Sequence, residues 1–462
     1  MSELLVGKSA QGRWVLTAAV LGSGMALLDG TVVNIALPHI GRSLDANIAD
    51  LQWVVNAYLV ALASLILVGG SLSDRVGRRR VFMVGVGWFA AASAVCAVAQ
   101  SPVQLIAARS VQGIGAALLT PGSLAIIQGS FQPADRAKVI GRWAGLGGIA
   151  GAAGPLLGGF LIQAASWRWI FAINVPVAAL VLIICSRQVP ETRDPEAARR
   201  FDVPGAALGA AGLAGITFAL IEHRTAYAVP VGVAGAVGLV AFLAVEHWSA
   251  HPMIELGLFG SRVFSVSNLM TLLVYGALGA LMFFLVLQLQ VSAGYTALQA
   301  GLATLPVTVV LLLLSSRSGD LASRIGPRWQ MSIGPIGCGV GAWLLHGVDA
   351  DSGYFTGVFP GLVVFALGLA ALVAPLTSSV LAAAPDRFAG AASGINNAVA
   401  RTGSLLAVAA LPAVVGLSGD AYRTAGLLTP AYSRAQIVCA VLLVAGGVVS
   451  FLGLARTPVG DG

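Results

Sequence analysis

The sequence predicts an all-α polytopic membrane protein, and three observations lead to that class. The 462 residues are 57% hydrophobic and only 10% charged, whereas soluble domains carry about 25% charged residues. The apolar residues form continuous runs of about 20, the length of a helix that crosses a bilayer. They do not alternate with polar residues as the strands of a membrane β-barrel do. Soluble, disordered and β-barrel proteins are therefore excluded.

Fourteen apolar runs are each predicted to be one transmembrane helix. They lie near 14–37, 52–71, 80–99, 102–129, 138–163, 167–186, 204–221, 229–247, 263–290, 298–316, 329–347, 357–382, 389–416 and 435–455. The first run is interpreted as a span and not as a signal peptide, because it is long, contains Asp29 and lacks a clear small-residue cleavage site. All four cysteines fall inside these runs and are predicted to be packing residues.

The positive charge of the chain sits mainly in alternate loops. Of the 26 basic residues, 24 are arginine, and the formal net charge is +7. With a cytoplasmic N-terminus, 19 of them fall on the cytoplasmic side and five outside, so the positive-inside rule predicts that both termini are cytoplasmic. The remaining two, Arg109 and Arg401, lie within spans. This distribution predicts a multi-pass protein of a bacterial cell membrane and does not indicate a nucleic-acid partner.

An internal repeat predicts the domain organisation. The loop Gly70–Arg79 is repeated as Gly319–Arg328, at an offset of 249 residues, and Asp135-Arg136 is repeated as Asp386-Arg387, at an offset of 251. These echoes predict two six-helix bundles, residues 1–186 and 263–462, and a linker, residues 187–262, that carries two inserted helices. Parallel repeats in a membrane favour a central cavity that opens to either side in turn, which indicates transport and not enzyme activity.

Asp29 is the acidic residue within the first span. It lies about nine residues, or roughly 13 Å, from the predicted outer end, where a carboxylate must be paired, hydrated or protonated. Its ionisation can therefore respond to what occupies the cavity. Arg109, at similar depth in the fourth span, is the expected partner, and a permanent ion pair between the two stays open as an alternative. Because arginine does not deprotonate, we assign Arg109 the role of modulator and not of proton carrier.

Two glycine-containing segments predict close helix contacts or gating. The fifth span carries Gly154, Pro155, Gly158 and Gly159, which predict either a tight packing surface alone or a helix that seals against its counterpart in the other half. The loop after the second span is predicted to gate through Gly70, Asp74, Arg75, Gly77, Arg78 and Arg79. There Asp74 is expected to form a latch with a helix N-terminus when one side is closed, although a merely solvated basic loop is the alternative.

Polar and aromatic side chains within the spans are the candidates for substrate binding. In the first half they are Asn34, Gln52, Trp53, Asn56, Tyr58 and Gln112. In the second half they are Phe284, Gln288, Asn396 and Asn397, with Phe283, Gln290 and Arg401 beside them. An aromatic wall with few fixed hydrogen bonds suits bulky amphiphiles, including cations held over ring faces. Trp53 and Tyr58 are alternatively interfacial anchors.

The sequence predicts no cofactor and no metal. Glu246, His247, His251 and Glu255 offer a metal-like spacing, but Pro252 follows directly within a loop. Gly7-Lys8-Ser9 resembles the end of a phosphate loop, but Ser2 replaces its first glycine, so ATP hydrolysis is not predicted. The expected partners are a small-molecule substrate, protons and the lipid bilayer, and the expected state is a monomer.

Several of these segments resemble a known family. The Gly70 loop, the stretch Leu105–Ala117, the Gly154-Pro155 helix and the Asp29 segment resemble, in that order, four signature motifs of the drug/proton antiporters of the major facilitator superfamily. With Trp167–Pro176 and fourteen spans, the chain is similar to the fourteen-span branch. The family's antiporter motif usually has glycine where this chain has Ala150.

The resemblance implies a major facilitator fold and a function. It implies that the Asp29 position takes part in proton or cation coupling, the Asp74 loop in gating, and the glycine-proline helix in antiport and not import. We therefore expect a proton-coupled exporter of bulky hydrophobic or cationic small molecules, as in multidrug and antibiotic efflux. Two alternatives stay open: a dedicated exporter of one natural product made by the host, and an uncoupled facilitator.

Overall fold

The computed structural model describes residues 4–7, 9–193, 202–249, 253–385 and 388–454, and the secondary structure there is helical apart from an isolated bridge between Leu5 and Phe131. Ser2, Lys8, His251, Pro252, Asp386 and Arg387 lie outside these ranges, and so do Arg199, Arg200 and Arg456, three of the 19 basic residues counted on the cytoplasmic side. The cytoplasmic charge count, the metal alternative and the second repeat echo therefore depend in part on residues that are not described. Clustering of contacts divides the chain into two units.

The first unit comprises Met1–Ala46, Trp53–Ala219 and Ala226–Met253. Its helices are α1 (Ala10–Leu44), α2 (Ile48–Val76), α3 (Arg78–Ala97), α4 (Pro102–Ser130), α5 (Pro133–Ala164), α6 (Trp169–Ala172), α7 (Asn174–Gln188), α8 (Val203–Ile221) and α9 (Ala228–Trp248). Close glycine contacts hold neighbouring helices together. A Cβ atom added at Gly115 of α4 would lie 2.7 Å from the Phe89 nitrogen of α3, and one at Gly235 of α9 would lie 2.7 Å from the Ile216 nitrogen of α8.

The second unit comprises Asn47–Gln52, Leu220–Thr225 and Ile254–Gly462. Its helices are α10 (Arg262–Leu287), α11 (Ala297–Ala303), α12 (Leu305–Ile325), α13 (Pro327–Leu345), α14 (Phe359–Ala382), α15 (Ala389–Val414) and α16 (Ala425–Gly453). The first turn of α2 belongs to this unit. Glycine contacts recur here, because a Cβ atom at Gly341 of α13 would lie 2.5 Å from the Phe365 nitrogen of α14.

Helix ends follow the local sequence. Ser9, Ser101 and Ser261 each accept a hydrogen bond from a backbone nitrogen in the first turn of α1, α4 and α10, which satisfies one donor that a helix start leaves free. The α2–α3 and α12–α13 junctions both turn at a glycine with positive φ, Gly77 at 130° and Gly326 at 80°. These glycines occupy matching positions of the repeated loop, so the repeat extends to backbone conformation.

Thirteen helices of the described residues are long and apolar enough to cross a membrane. The predicted span at 329–347 corresponds to α13, which has 19 residues but is not among the thirteen. Arg328, Gln330 and Ser332 in its first turns, together with several glycines, lower its mean hydropathy. The chain is thus a polytopic, all-helical membrane protein, and the count of fourteen spans stays a prediction.

The outer surface and the interior differ as a bilayer requires. Large apolar side chains are exposed, among them Val229 at 75% and Leu452 at 67%, which suits contact with acyl chains and not with water. The four cysteines Cys96, Cys185, Cys338 and Cys439 are all buried and free.

Candidate functional site

The first unit encloses a carboxylate in the middle of a long helix. Asp29 lies 19 residues after the first residue of α1 and 15 before the last, or about 22 Å from the nearer end at 1.5 Å per residue. Its side chain is 0% exposed. An ionised carboxylate in such a place needs a cation and hydrogen-bond donors.

Arg109 and Gln112 of α4 supply both. Nη1 of Arg109 lies 2.5 Å from Oδ2 of Asp29 and donates to Oε1 of Gln112 at 2.6 Å. Nε2 of Gln112 donates to Oδ1 of Asp29 at 2.8 Å. Because Arg109 and Gln112 are three residues apart, their side chains leave the same face of α4. Each carboxylate oxygen of Asp29 thus accepts a hydrogen bond.

The same network reaches α3 and α7 through a serine. Nε2 of Gln112 donates to Oγ of Ser93 at 2.8 Å, and Nδ2 of Asn174 donates to that oxygen at 3.3 Å. Oγ of Ser93 in turn donates to the Phe89 carbonyl oxygen at 2.7 Å. Four helices therefore meet at one buried polar cluster, which we call the Asp29 network: Asp29, Ser93, Arg109, Gln112 and Asn174.

The guanidinium of Arg109 is enclosed by acceptors and ring faces. Its Nε donates to the Val54 carbonyl oxygen at 3.0 Å. Its Cζ lies 4.3 Å from the ring centroid of Tyr58 and 5.7 Å from that of Phe171, distances at which a cation is attracted to an aromatic face. Together with the Asp29 carboxylate, these acceptors and ring faces compensate the buried guanidinium.

Helix α5 packs on α1 directly after Asp29. A Cβ atom added at Gly154 would lie 2.1 Å from Oγ1 of Thr31, and one at Gly158 would lie 2.1 Å from Cγ2 of Val32. Oγ1 of Thr31 donates to the Gly151 carbonyl oxygen at 3.1 Å. Within the first unit, Gly154 and Gly158 of α5 thus position α1. A seal between α5 and its counterpart in the other half stays a prediction.

Pro155 and Gly159 complete that segment of α5. Pro155 lies inside the helix and has no amide hydrogen for the helical ladder, while Gly159 is buried. They lie beside the two glycines that contact α1.

The predicted basic loop is helical except at Gly77, because Asp74 lies in the last turn of α2 and Arg78 in the first turn of α3. Nε and Nη2 of Arg78 lie 2.9 and 2.8 Å from Oδ1 of Asp74. Gly70 is not tightly confined, because a Cβ atom there would lie 3.7 Å from the nearest atom, Cβ of Pro121. Arg75 is half-buried. The Asp74 latch to a helix N-terminus stays a prediction.

The same loop is also tied to the segment after α7. The backbone nitrogen of Arg79 donates to Oε1 of Glu191 at 3.1 Å, and its Nη1 donates to the Val189 carbonyl oxygen at 3.1 Å. The backbone nitrogen of Arg78 donates to the Thr192 carbonyl oxygen at 2.8 Å. At Gly77 a Cβ atom would lie 2.6 Å from Oε1 of Glu191. Glycine is therefore favoured there by its positive φ, whereas the Glu191 carboxylate, at the end of a flexible side chain, could move away from an added Cβ.

Four substrate-binding candidates of the first unit have different surroundings. Asn34 is half-buried on α1, and the Trp53 ring lies 6.4 Å from that of Phe218 in α8. Tyr58 is 2% exposed and Asn56 is 0% exposed. Both polar atoms of the Asn56 side chain are buried without a hydrogen-bond partner among the described residues, which leaves its amide unsatisfied.

Two predicted glutamines have their side-chain amides engaged within the second unit. Nε2 of Gln52 donates to the Val408 and Ala409 carbonyl oxygens, both at 2.8 Å. Nε2 of Gln288 donates to the Val348 carbonyl oxygen at 2.8 Å and to Oγ1 of Thr429 at 3.0 Å. Contact with a ligand would require these bonds to exchange.

The other candidates of the second unit lie on α10 and α15. Phe284 is 0% exposed. Nδ2 of Asn396 donates to Oδ1 of Asn268 at 3.1 Å and to Oγ1 of Thr271 at 2.9 Å, which links α15 to α10. Asn397 is exposed and donates to the Ser393 carbonyl oxygen of its own helix at 3.0 Å.

A metal site is not found in the part of the chain that the structure covers, where no three His, Cys, Asp or Glu side chains are grouped. His251 of the metal-like spacing lies outside that part.

Comparison with known proteins assigns the family. The family model described as Major Facilitator Superfamily matches residues 19–408, more than half of the chain. The chain belongs to the major facilitator superfamily. Members of this family are membrane transporters, and the relatives below are named for resistance or export, not for an enzyme activity.

Two curated relatives of this major facilitator protein are similar over most of their length. The cephamycin export protein CmcT of Amycolatopsis lactamdurans is 34% identical over 96% of this chain and 93% of the relative. The multidrug resistance protein Stp of Mycobacterium tuberculosis (strain CDC 1551 / Oshkosh) is 34% identical over 87% of this chain and 75% of the relative. The protein is therefore a transporter related to antibiotic resistance and export proteins.

A solved structure shows the shared fold. The structure of a bacterial homolog of the human lysosomal transporter Spinster, inward-facing and unoccupied, gives a TM-score of 0.69 over 97% of this chain and 98% of that chain, at 18% identity. At this identity the likeness concerns the fold alone.

Three residues of the transporter were missed by the sequence analysis. Ser93 lies in an apolar run and gives no signal of its own. Asn174 lies in the Trp167–Pro176 segment, which was used only for the family resemblance. Glu191 is the first acidic residue after the sixth predicted span, and its position between Arg187 and Arg193 is the signal that could have linked it to the arginines of the Gly70 loop.

Proposed function

We propose that this major facilitator protein is a proton-coupled exporter of bulky hydrophobic or cationic small molecules, and that it works by drug/proton antiport with alternating access. The observation that carries the proposal is the Asp29 network. It contains a carboxylate that can accept a proton, held by an arginine that does not release one. The names of the relatives, which include export and multidrug resistance, support the direction and the class of substrate.

The coupling follows from the cost of separating the two charges. A proton on Asp29 removes the counter-charge of Arg109, and a buried charge left without its partner costs about 3–5 kcal/mol. Protonation is therefore stable only in a conformation where Arg109 gains water or another acceptor. Because the pair joins α1 to α4, that change must move one helix relative to the other. A substrate that favours one of the two conformations thereby favours release or uptake of the proton.

The driving force is sufficient for export. A difference of one pH unit supplies about 1.4 kcal/mol per proton, and 100 mV supplies about 2.3 kcal/mol per charge moved. One charge-moving proton per substrate thus supports roughly tenfold to several-hundredfold concentration.

The other motifs are given supporting roles. The contact of Gly154 and Gly158 with α1 supports a role for α5 in holding Asp29 in its enclosed position. The Asp74 loop, tied to α3 and to the segment after α7, supports a role in gating. We further propose fourteen spans, with α13 as the least apolar, cytoplasmic termini and a monomer.

The test measures protons and substrate together. Tetramethylrhodamine methyl ester, a bulky fluorescent cation, is added to purified protein in weak buffer near neutral pH, and binding and medium pH are followed together. We expect binding to release protons, and Asp29→Asn to abolish that release. Reconstituted vesicles should concentrate the dye against its gradient only when a pH difference is imposed.

Two control variants separate coupling from folding. Asp351→Asn removes an exposed carboxylate and should leave proton release unchanged. Asp29→Asn combined with Arg109→Gln removes both charges, so that no buried cation is stranded, and should bind the dye without proton exchange. Undiminished uphill transport in Asp29→Asn would disprove the proposed coupling.

A dedicated exporter of a single natural product is the second candidate. It is favoured by the similarity to the cephamycin export protein CmcT, whose name specifies one compound. A susceptibility panel distinguishes the candidates: protection against many dyes and antibiotics indicates broad efflux, and protection against one compound indicates dedicated export.

A further inference from the structure

Helix α15 of the second unit carries a charge at its centre. Arg401 lies 12 residues after the first residue of α15, Ala389, and 13 before the last, Val414. At 1.5 Å per residue it is about 18 Å from either end. Charged side chains at this depth are rare, face protein or water, and mark substrate or ion pathways.

Arg401 has no counter-charge in the part of the chain that the structure covers. None of the salt bridges found there includes its guanidinium. Arg401 interacts electrostatically with Tyr275 of α10, whose side chain is a phenol and not a carboxylate. Arg109, by contrast, is matched by Asp29 at 2.5 Å. The charge of Arg401 is thus available to a ligand.

The packing of α15 determines which way this side chain leaves the helix. A Cβ atom added at Gly403 would lie 2.5 Å from the Leu272 carbonyl oxygen, and one at Gly276 would lie 3.1 Å from the Gly403 carbonyl oxygen. Gly403 therefore faces α10. Residues two apart on an α-helix are about 200° apart around it, so Arg401 is not part of the Gly403 contact. It leaves the flank of α15 next to Ser404, three residues on, whose Oγ donates to the Tyr275 carbonyl oxygen of α10 at 2.8 Å.

On this flank of α15 the residues are accessible up to Arg401 and buried beyond it. Gly390 and Asn397 are exposed and Arg401 is half-buried, and nothing lies within 4 Å of a Cβ atom at Gly390. One turn further on, Leu405 is 0% and Val408 is 2% exposed. A face with an arginine and an asparagine lies against water and not against acyl chains. Arg401 is therefore the last accessible side chain of a polar face that starts at the first turn of α15.

We propose that Arg401 is an anion-recognition residue of the substrate site and binds a carboxylate, or a comparable acidic group, of the exported molecule. The guanidinium offers paired donors that match the two oxygens of a carboxylate. The inference rests on the proposed export function and narrows its substrate class. It favours bulky molecules that carry an acidic group, with or without a cation, over molecules that are only cationic, because Arg401 repels the latter.

A matched pair of probes tests this. Tetramethylrhodamine has a free carboxylate, and its methyl ester has the same ring system without that charge. Fluorescence anisotropy gives the Kd of each dye for purified wild type, Arg401→Gln, Arg401→Lys and Arg434→Gln in gluconate buffer. Arg434 is the control, because it is an exposed arginine whose Nε donates to the Pro430 carbonyl oxygen of its own helix at 3.1 Å.

The expected result is a change confined to the acid. Wild type and Arg434→Gln should bind the acid more tightly than the ester. Arg401→Gln should weaken acid binding about tenfold or more, the usual effect of losing a charged hydrogen bond, and leave ester binding unchanged or tighter. Arg401→Lys should retain part of the preference, and it keeps the test decisive if Arg401→Gln does not fold.

Three results would overturn the inference. They are the absence of an acid preference in wild type, an equal loss for both dyes in Arg401→Gln, and a Kd for the acid that does not change in that variant. Repeating the titration in chloride buffer tests whether an inorganic anion is the true occupant of the Arg401 site. If chloride lowers the Kd of both dyes for wild type and does not compete with the acid, the role in substrate binding is also rejected. Asp29→Asn separates the two proposals, since it should lose proton release but keep the preference for the acid.

Discussion

Two adjacent glycines of α2 are expected to tolerate an added methyl group very differently. A Cβ atom at Gly69 would lie 2.0 Å from the Ala117 carbonyl oxygen and 2.8 Å from its carbonyl carbon in α4. A Cβ atom at Gly70 would lie 3.7 Å from Cβ of Pro121, an ordinary contact. The motif indicates Gly70, whereas the structure identifies Gly69, of the two glycines, as the closest approach between α2 and α4.

The magnitude follows from these distances. Carbon and carbonyl oxygen approach to about 3.3 Å, so Gly69→Ala requires α2 and α4 to separate by more than about 1 Å. The contacting atoms belong to the backbone of α4 and cannot turn aside as a side chain can. Overpacking of this kind costs about 1–3 kcal/mol. In Gly70→Ala no such cost arises, and the helix gains roughly 0.5–1 kcal/mol from the better helix former.

The assay compares the apparent melting temperatures of wild type and the two variants, purified in one detergent. Gly69→Ala should melt roughly 2–12 °C below Gly70→Ala, since the overpacking cost is the difference between the two variants and one kcal/mol corresponds to about 2–4 °C for a unit of this size. Gly70→Ala should match or exceed wild type. Melting temperatures of the two variants within 1 °C of each other would refute the reasoning, because they would mean that α2 and α4 are not in backbone contact at Gly69.

Three further predictions use the same logic of matched variants. Gly158→Ala should lower the melting temperature, because Cγ2 of the β-branched Val32 lies 2.1 Å from the added Cβ and this side chain rotates poorly within a helix. Gly148→Ala is the control and should not lower it, because nothing lies within 4 Å of a Cβ atom there. Equal melting temperatures of the two variants would contradict the α5–α1 contact. Asn396→Ala leaves the buried Asn268 oxygen without its donor and should lower the free energy of unfolding by about 1–2 kcal/mol. Asn397→Ala should lower it by only a few tenths of a kcal/mol, and thermal unfolding measures both. A larger loss of stability in Asn397→Ala than in Asn396→Ala would contradict the assigned contacts. Glu191→Ala frees the segment after α7, and trypsin should cleave there severalfold faster than in wild type; an unchanged cleavage rate would show that Glu191 does not hold the loop.

The class of fold could be predicted from the sequence because a bilayer imposes strong constraints. Continuous apolar runs leave helix as the solution for a lipid-exposed chain, and the repeat of the Gly70 loop indicates a duplicated architecture. The span at 329–347 shows the limit. Helix α13 forms over 19 residues, but its polar first turns do not give it the composition of a membrane span, because tertiary packing stabilises helices that hydropathy alone does not identify.

The candidate site could be predicted only in part. Depth within the spans indicated that Asp29 and Arg109 are within reach of each other, since both are ionisable and costly to leave unpaired. Ser93 and Asn174 could not be found in this way. Burying a hydroxyl or an amide within an apolar run costs much less free energy than burying a charge, so the sequence does not indicate which partner such a side chain has. Gln288 shows why polarity within a span does not by itself identify a ligand contact: its amide joins neighbouring segments, and its role in substrate binding stays a prediction.

The enclosure of all four native thiols has a practical consequence. Water-soluble maleimides react with thiolates that they can reach, and Cys96, Cys185, Cys338 and Cys439 are all buried. A cysteine introduced at a chosen position can therefore be labelled selectively without first removing the natural ones. Reaction rates along the open face of α15, measured one site at a time, would then map how far an aqueous path enters this transporter.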